Sequence, residues 1–162
     1  MLQFKVDIKK VNSSVSELLF YHLENRPVGE VLPTLLEKTL DRGWRATVEC
    51  GSDEILAQLD KQLWTFRDDS FLPHSAQSSE SSPTTPILLT RAAENENSSN
   101  VRFFVGGARP RDEKSYDRLV YLFDGHNAEF VENARADWRQ LKENFDVTYW
   151  QQSQNGRWEK KA

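Results

Sequence analysis

Arg135, Trp138, Arg139 and Lys142 recur near the end of the chain at a spacing that sets them along one side of a helix. At about 100° per residue, the three basic side chains fall within roughly 60° of one another. They lie beside a face built from Phe130, Ala134, Leu141 and the following Phe145. Trp138 sits on the border between the two stripes, so its ring can lean on the core and still wall a groove edged by positive charge. Guanidinium forks hold carboxylates, and an apolar wall accepts a side chain such as Phe. The ligand suited to such a groove is a short acidic peptide, for instance one ending in an aromatic residue and its free carboxylate. A charged stripe with a border Trp is also what the wet side of an ordinary amphipathic helix looks like.

Other candidate chemistry finds no partners in the sequence. Gly106 and Gly107 in "VGGARPRD" follow an apolar run as a phosphate-cradling loop would. The chain has no GxGxxG or GxxxxGK[ST], however, and Pro110 sits where a helix N-terminus would have to receive the phosphate. His22, His74 and His126 are isolated from one another, without the spacing of a metal site. Neither Cys50 nor any serine lies in a nucleophile motif. Asp68 and Asp69 are adjacent acids of the kind that mark a solvated corner or a helix cap. No catalytic residue, cofactor or metal ligand is therefore assigned.

Composition narrows the classes further. A chain of 162 residues can bury roughly two thirds of its unfolded surface as a single domain. With Cys50 as its one cysteine it has no intrachain disulfide, which fits a cytoplasmic setting. The start "MLQFKVDIKK" has no signal-peptide pattern, and no apolar run approaches the roughly 20 residues of a membrane helix. A soluble protein with no membrane contact is expected. The 21 basic and 25 acidic side chains give a net charge of −4, which argues against general nucleic-acid binding through phosphate neutralisation. Direct binding of single-stranded DNA through exposed aromatics is disfavoured for the same reason.

The elements that would carry these residues alternate between strand and helix. Strands are expected at about 3–8, in "WRATVEC", "PILLT", "VRFFVGG", "RLVYLF" and "DVTYW". Helices are expected at 28–41, in "SDEILAQLDKQLWTF" with Ser52 or Asp53 as N-cap, and at about 128–142. Gly43 ends the first helix, and Pro33 fits only near its first turn or at a kink. Nearly continuous apolar strands require cover on both faces, so a three-layer α/β fold with a mostly parallel sheet follows. Residues 1–150 form one domain with a flexible loop at about 75–86, rich in Ser, Thr and Pro, and 151–162 read as a polar tail.

"LLEKTLDRGWR", "LWTFRDDSFLPH", "PILLT", "RLVYLFDG", "AR..W..LK" and "DVTYWQQSQNGRWEKKA" occur in this order over nearly the whole chain. Together they resemble the chi subunit of bacterial DNA polymerase III, most like its alphaproteobacterial branch. The resemblance implies a Rossmann-like α/β/α fold without catalytic activity. It also implies an accessory role at the clamp loader, linking it to single-stranded-DNA-binding protein by gripping that protein's acidic C-terminal tail, with DNA engaged only indirectly. The tail-binding positions fall on Phe123, Arg135, Trp138 and Arg139, with Lys142 beside them. A second surface, at Trp64, Phe71, Leu72 and Pro73, would dock the psi subunit or an equivalent clamp-loader or helicase partner. A nucleotide-binding enzyme or sensor on the same kind of sheet is the alternative, motivated by the fold and by Gly106 and Gly107 alone.

Overall fold

A computed structural model of the protein describes residues 16–66, 72–76 and 82–162. Along the chain run β1 (Glu17–Leu23), α1 (Val28–Asp41), β2 (Ala46–Cys50), α2 (Asp53–Trp64), β3 (His74–Ala76), β4 (Ile87–Thr90), β5 (Val101–Val105), β6 (Arg118–Asp124), α3 (Ala128–Leu141), β7 (Asp146–Gln152) and β8 (Trp158–Lys160). The strands form one eight-stranded sheet in the order β3-β4-β2-β5-β6-β1-β7-β8. Every neighbouring pair is parallel except β7 with β8.

The helices start and stop where local chemistry dictates. The Ser52 hydroxyl accepts a hydrogen bond from the Ile55 N–H at 3.2 Å, and the Asn127 side chain accepts one from Phe130 at 3.1 Å. Each cap satisfies a donor that the first helical turn leaves unpaired. At the end of α1, Gly43 takes φ +80° and its N–H donates to Leu40 O at 2.9 Å. Pro33 lies in the second turn of α1 and is buried, so the Gly29 carbonyl loses its helical donor there.

Burial divides the molecule into three layers. Val31, Leu32 and Leu36 of α1 and Leu56, Leu59 and Leu63 of α2 pack with Val48, Ile87, Phe103 and Leu122 on one face of the sheet. On the opposite face, Ala134 and Leu141 of α3 pack with Leu18, Phe20, Tyr121 and Phe123. Fully burying one such side chain contributes about 1.5–3 kcal/mol, which explains why β4 and β5, buried along their whole length, are apolar except at Thr90 and Arg102.

Where α3 does not reach, the polar segment "AAENENSSN" takes over. Asn97 is fully buried; its amide donates to Ala46 O at 3.1 Å and Thr85 O at 2.8 Å, and its carbonyl oxygen accepts from Thr47 at 2.8 Å. Arg102 is also fully buried, against Glu49 at 2.8 Å and the Tyr116 hydroxyl at 2.9 Å. A polar lid of this kind is stable because its buried donors find acceptors.

Three strands fall where the sequence reading placed none. β1 occupies the "ELLFYHL" segment between β6 and β7, whereas the strand expected at about 3–8 lies outside the described residues. The polar residues read as a tail contain β8, which folds back on β7 so that Trp158 opposes Gln152. Within the segment read as a flexible loop, β3 pairs with β4. No helix among the described residues is long and apolar enough to cross a membrane.

Candidate functional site

The basic stripe of α3 faces the edge of the sheet that ends in β7 and β8. Arg135, Trp138 and Arg139 line a shallow groove of about 270 Å³ together with Tyr149 of β7 and Ala162. Trp138 is half-buried, edge-on to Phe20 at 5.4 Å and to Tyr149 at 5.7 Å between ring centroids. Phe20 and Tyr149 stack at 5.8 Å, so three rings brace one another and leave one side of Trp138 as a wall.

The charges at the rim are available. Arg135 pairs with Glu132 at 3.1 Å, an i,i+3 contact with both side chains more than half exposed. A pair of this kind is screened by water and salt and is worth at most about 1 kcal/mol. Among the described residues no ion pair engages Arg139. Asp137, buried between them in sequence, accepts two hydrogen bonds from Arg109 at 2.8 and 3.0 Å, which ties α3 to the loop after β5.

Other expected site residues fall apart from this groove. Lys142 is the exposed C-cap of α3 and does not line it. Phe123 is 3 % exposed and reaches the groove only through Tyr149, whose ring lies 6.2 Å away. Tyr149 and Ala162 were missed by sequence reasoning: Tyr149 lies on a strand whose pairing was not yet known, and Ala162 in an apparently featureless polar segment.

Phe123 lines a separate cavity of about 390 Å³ with Leu23, Val28, Ile55, Leu122 and Phe130. It opens where the chain leaves β1 for one face of the sheet and β6 for the other, the position at which parallel α/β sheets receive nucleotides. Here the N–H groups of Glu24, Asn25 and Arg26 all donate to one oxygen of Gln152, at 3.2, 2.9 and 3.0 Å. The anion seat of that loop is filled by the protein's own amide. The glycines beside it answer to packing. A Cβ on Gly106, at φ +61°, would meet Ile55 at 2.7 Å, and one on Gly51 would meet Gly106 O at 2.1 Å.

The histidines are spent on structure. His22 Nδ1 and the Tyr149 hydroxyl share a hydrogen bond of 2.7 Å, while His22 Nε2 lies 3.3 Å from Glu24 without making one. His126 meets Glu24 O at 2.8 Å. No cluster of His, Cys, Asp or Glu among the described residues could hold a metal. Burial pushes the Cys50 thiol up to about 12, so it stays protonated at neutral pH.

The second expected surface lies at the other end of the sheet. Trp64 ends α2 and is 57 % exposed, with its ring 4.5 Å from that of His74. His74 is held by Leu72 O at 2.7 Å and by Asp60 at 2.9 Å. Leu72 is only 2 % exposed and belongs to the core below α2, Pro73 is half-buried, and Phe71 lies outside the described residues.

No curated protein matches the chain. Among protein families, residues 15–148 match the DNA polymerase III chi subunit, HolC, a span that takes in both surfaces except for Tyr149 and Ala162. On the strength of that match the chain belongs to the DNA polymerase III chi subunit family.

Proposed function

We propose that the protein is a non-catalytic adaptor of the replicative polymerase, linking the clamp loader to single-stranded-DNA-binding protein by holding that protein's acidic C-terminal tail. The single observation that supports this is the groove of Arg135, Trp138, Arg139 and Tyr149, an aromatic wall with two exposed guanidinium groups on a protein of net charge −4. Local positive charge beside an apolar surface selects a ligand that is both acidic and aromatic. Phe123 supports the groove through Tyr149, and Lys142, at the C-cap of α3 outside the groove, adds to the positive charge of that helix end. Trp64 and Pro73 present the surface for the psi subunit or an equivalent clamp-loader or helicase partner, with Leu72 packed in the core beneath them and Phe71 assigned to the same surface by the resemblance alone. DNA is reached through the bound partner, in the cytoplasm.

A fluorescein-labelled acidic peptide ending in Pro-Phe tests the reading. It binds the wild type at micromolar strength, and raising salt from 50 to 300 mM weakens it because the contacts are exposed charge pairs. Arg135→Ala and Arg139→Ala each reduce affinity by about fivefold, the upper end for an exposed pair. Binding that ignores salt and both substitutions sinks the assignment.

A further inference from the structure

The α3 groove has a second wall, made by Tyr149 and Ala162, and Lys161 adjoins both in the β7–β8 ladder. We propose that Lys161 is a ligand-binding residue of the groove, taking a carboxylate of an acidic peptide, and that Glu159 is its built-in competitor. This rests on the peptide-binding reading above and extends it to residues past 148, where the family match ends.

The geometry comes from the β7–β8 ladder. Trp150 opposes Lys160, Gln151 opposes Glu159 and Gln152 opposes Trp158. Beyond the Trp150–Lys160 pair, the Lys161 N–H donates to Tyr149 O at 2.8 Å and the Tyr149 N–H donates to Ala162 O at 3.1 Å. Two residues therefore oppose one, the pattern of a β-bulge, a device that re-aims side chains at a sheet edge.

Alternation then sorts the side chains by face. Trp158 packs edge-on to Tyr21 at 5.0 Å, on the face covered by α1 and α2, and Lys160 shares that face. Glu159 and Lys161 stand on the other face, with Tyr149 and α3. Their ion pair of 3.3 Å fits this placement, and Ala162 lines the groove beside Arg135 and Arg139. Both partners of the pair are about half exposed, at 50 % and 54 %, so water and salt already compete with it. A peptide carboxylate entering between α3 and this wall meets Lys161 opposite the two arginines. Lys161 leaves Glu159 to meet it.

Lys160 supplies an internal control, because it carries the same charge one residue away on the opposite face. The acidic labelled peptide is titrated against the wild type, Lys161→Glu, Lys160→Glu, Glu159→Gln and Arg139→Ala, after thermal melts establish that each variant is folded. The expected result is a loss of about fivefold or more for Lys161→Glu, a change under about twofold for Lys160→Glu, and a gain of about twofold for Glu159→Gln. Equal effects of Lys160→Glu and Lys161→Glu overturn the proposal, since only net charge would then matter. Normal binding by Lys161→Glu with loss in Arg139→Ala overturns it too, and leaves the peptide reading standing. No binding by the wild type removes both.

Discussion

Burial moves the two polar rings behind the groove away from charge. Desolvation lowers the pKa of His22 below the ordinary 6.5, against an opposing pull from Glu24, and the Arg135 cation adds to the lowering. Desolvation likewise raises the Tyr149 hydroxyl. Both groups are therefore neutral at pH 7, which suits the hydrogen bond between them. The unfolded chain binds a proton at His22 more readily than the folded one. The stability tied to this site is thus fully present above about pH 6.5 and lost as pH falls toward the lower folded value. Urea midpoints at pH 7.5 and 5.5 should fall on acidification, and fall less in His22→Gln; equal slopes in the two proteins would remove His22 as the cause. Glu49 acts in the same direction at lower pH, because its folded value also lies below the ordinary 4.5. Burial alone would raise its pKa, but hydrogen bonds from Arg111 and Arg102 outweigh that and hold it low. Removing Arg102 leaves the buried Glu49 carboxylate with Arg111 as its remaining cation and the Tyr116 hydroxyl without its donor. Arg102→Met should cost about 3–5 kcal/mol by chemical denaturation.

At the scale of elements, β7 does more than complete the sheet: its last residue fastens the loop between β1 and α1. Gln152 is 1 % exposed and accepts three backbone N–H groups at once. In Gln152→Leu those donors are left in a site that water reaches poorly, and stability should drop by about 2 kcal/mol in urea titrations. A loss below a few tenths of a kcal/mol would mean that water replaces the amide at no cost. This contact also explains what the sequence could and could not reveal. α1, α2 and α3 were legible to within a residue or two because their apolar spacing and, for α2, the cap Ser52 are local signals. Of the groove, Arg135, Trp138 and Arg139 were legible for the same reason, lying on one helix. β1 carried a readable apolar run in Leu18–Tyr21, with the turn-forming Asn12, Ser13 and Ser14 before it, and was legible in principle. Tyr149, Lys161 and Gln152 acquire their roles only through pairing across the sheet, which no local spacing encodes. Arg102 shows the converse problem: a strand that reads as buried holds an arginine whose partners lie on three separate segments.

Over the whole molecule, the two surfaces sit at opposite ends of one rigid layer. The ledge at Trp64 adjoins β3, and the groove lies beside β7 and β8, the two extremes of the eight-strand order. Strands spaced about 4.8 Å apart put these ends roughly 30 Å from each other. That is about three Debye lengths at 0.1 M salt, so charge at one end is not felt at the other. The core between them is filled by Phe103, Leu122 and Phe20, all buried, and a close-packed interior of this kind is not continuously deformable. The proposed adaptor role needs this property, because two partners would have to be held together without either displacing the other. Trp64→Ala should therefore leave the affinity for the acidic peptide within about twofold of wild type, and Arg139→Ala should leave capture of the ledge partner unchanged. Both are measurable by surface immobilisation of one partner and titration of the other. Saturating peptide should likewise leave the partner's dissociation rate unaltered, since binding energies at sites this far apart add without coupling. Mutual weakening would show instead that the sheet transmits strain between its edges, and that the two partners take turns.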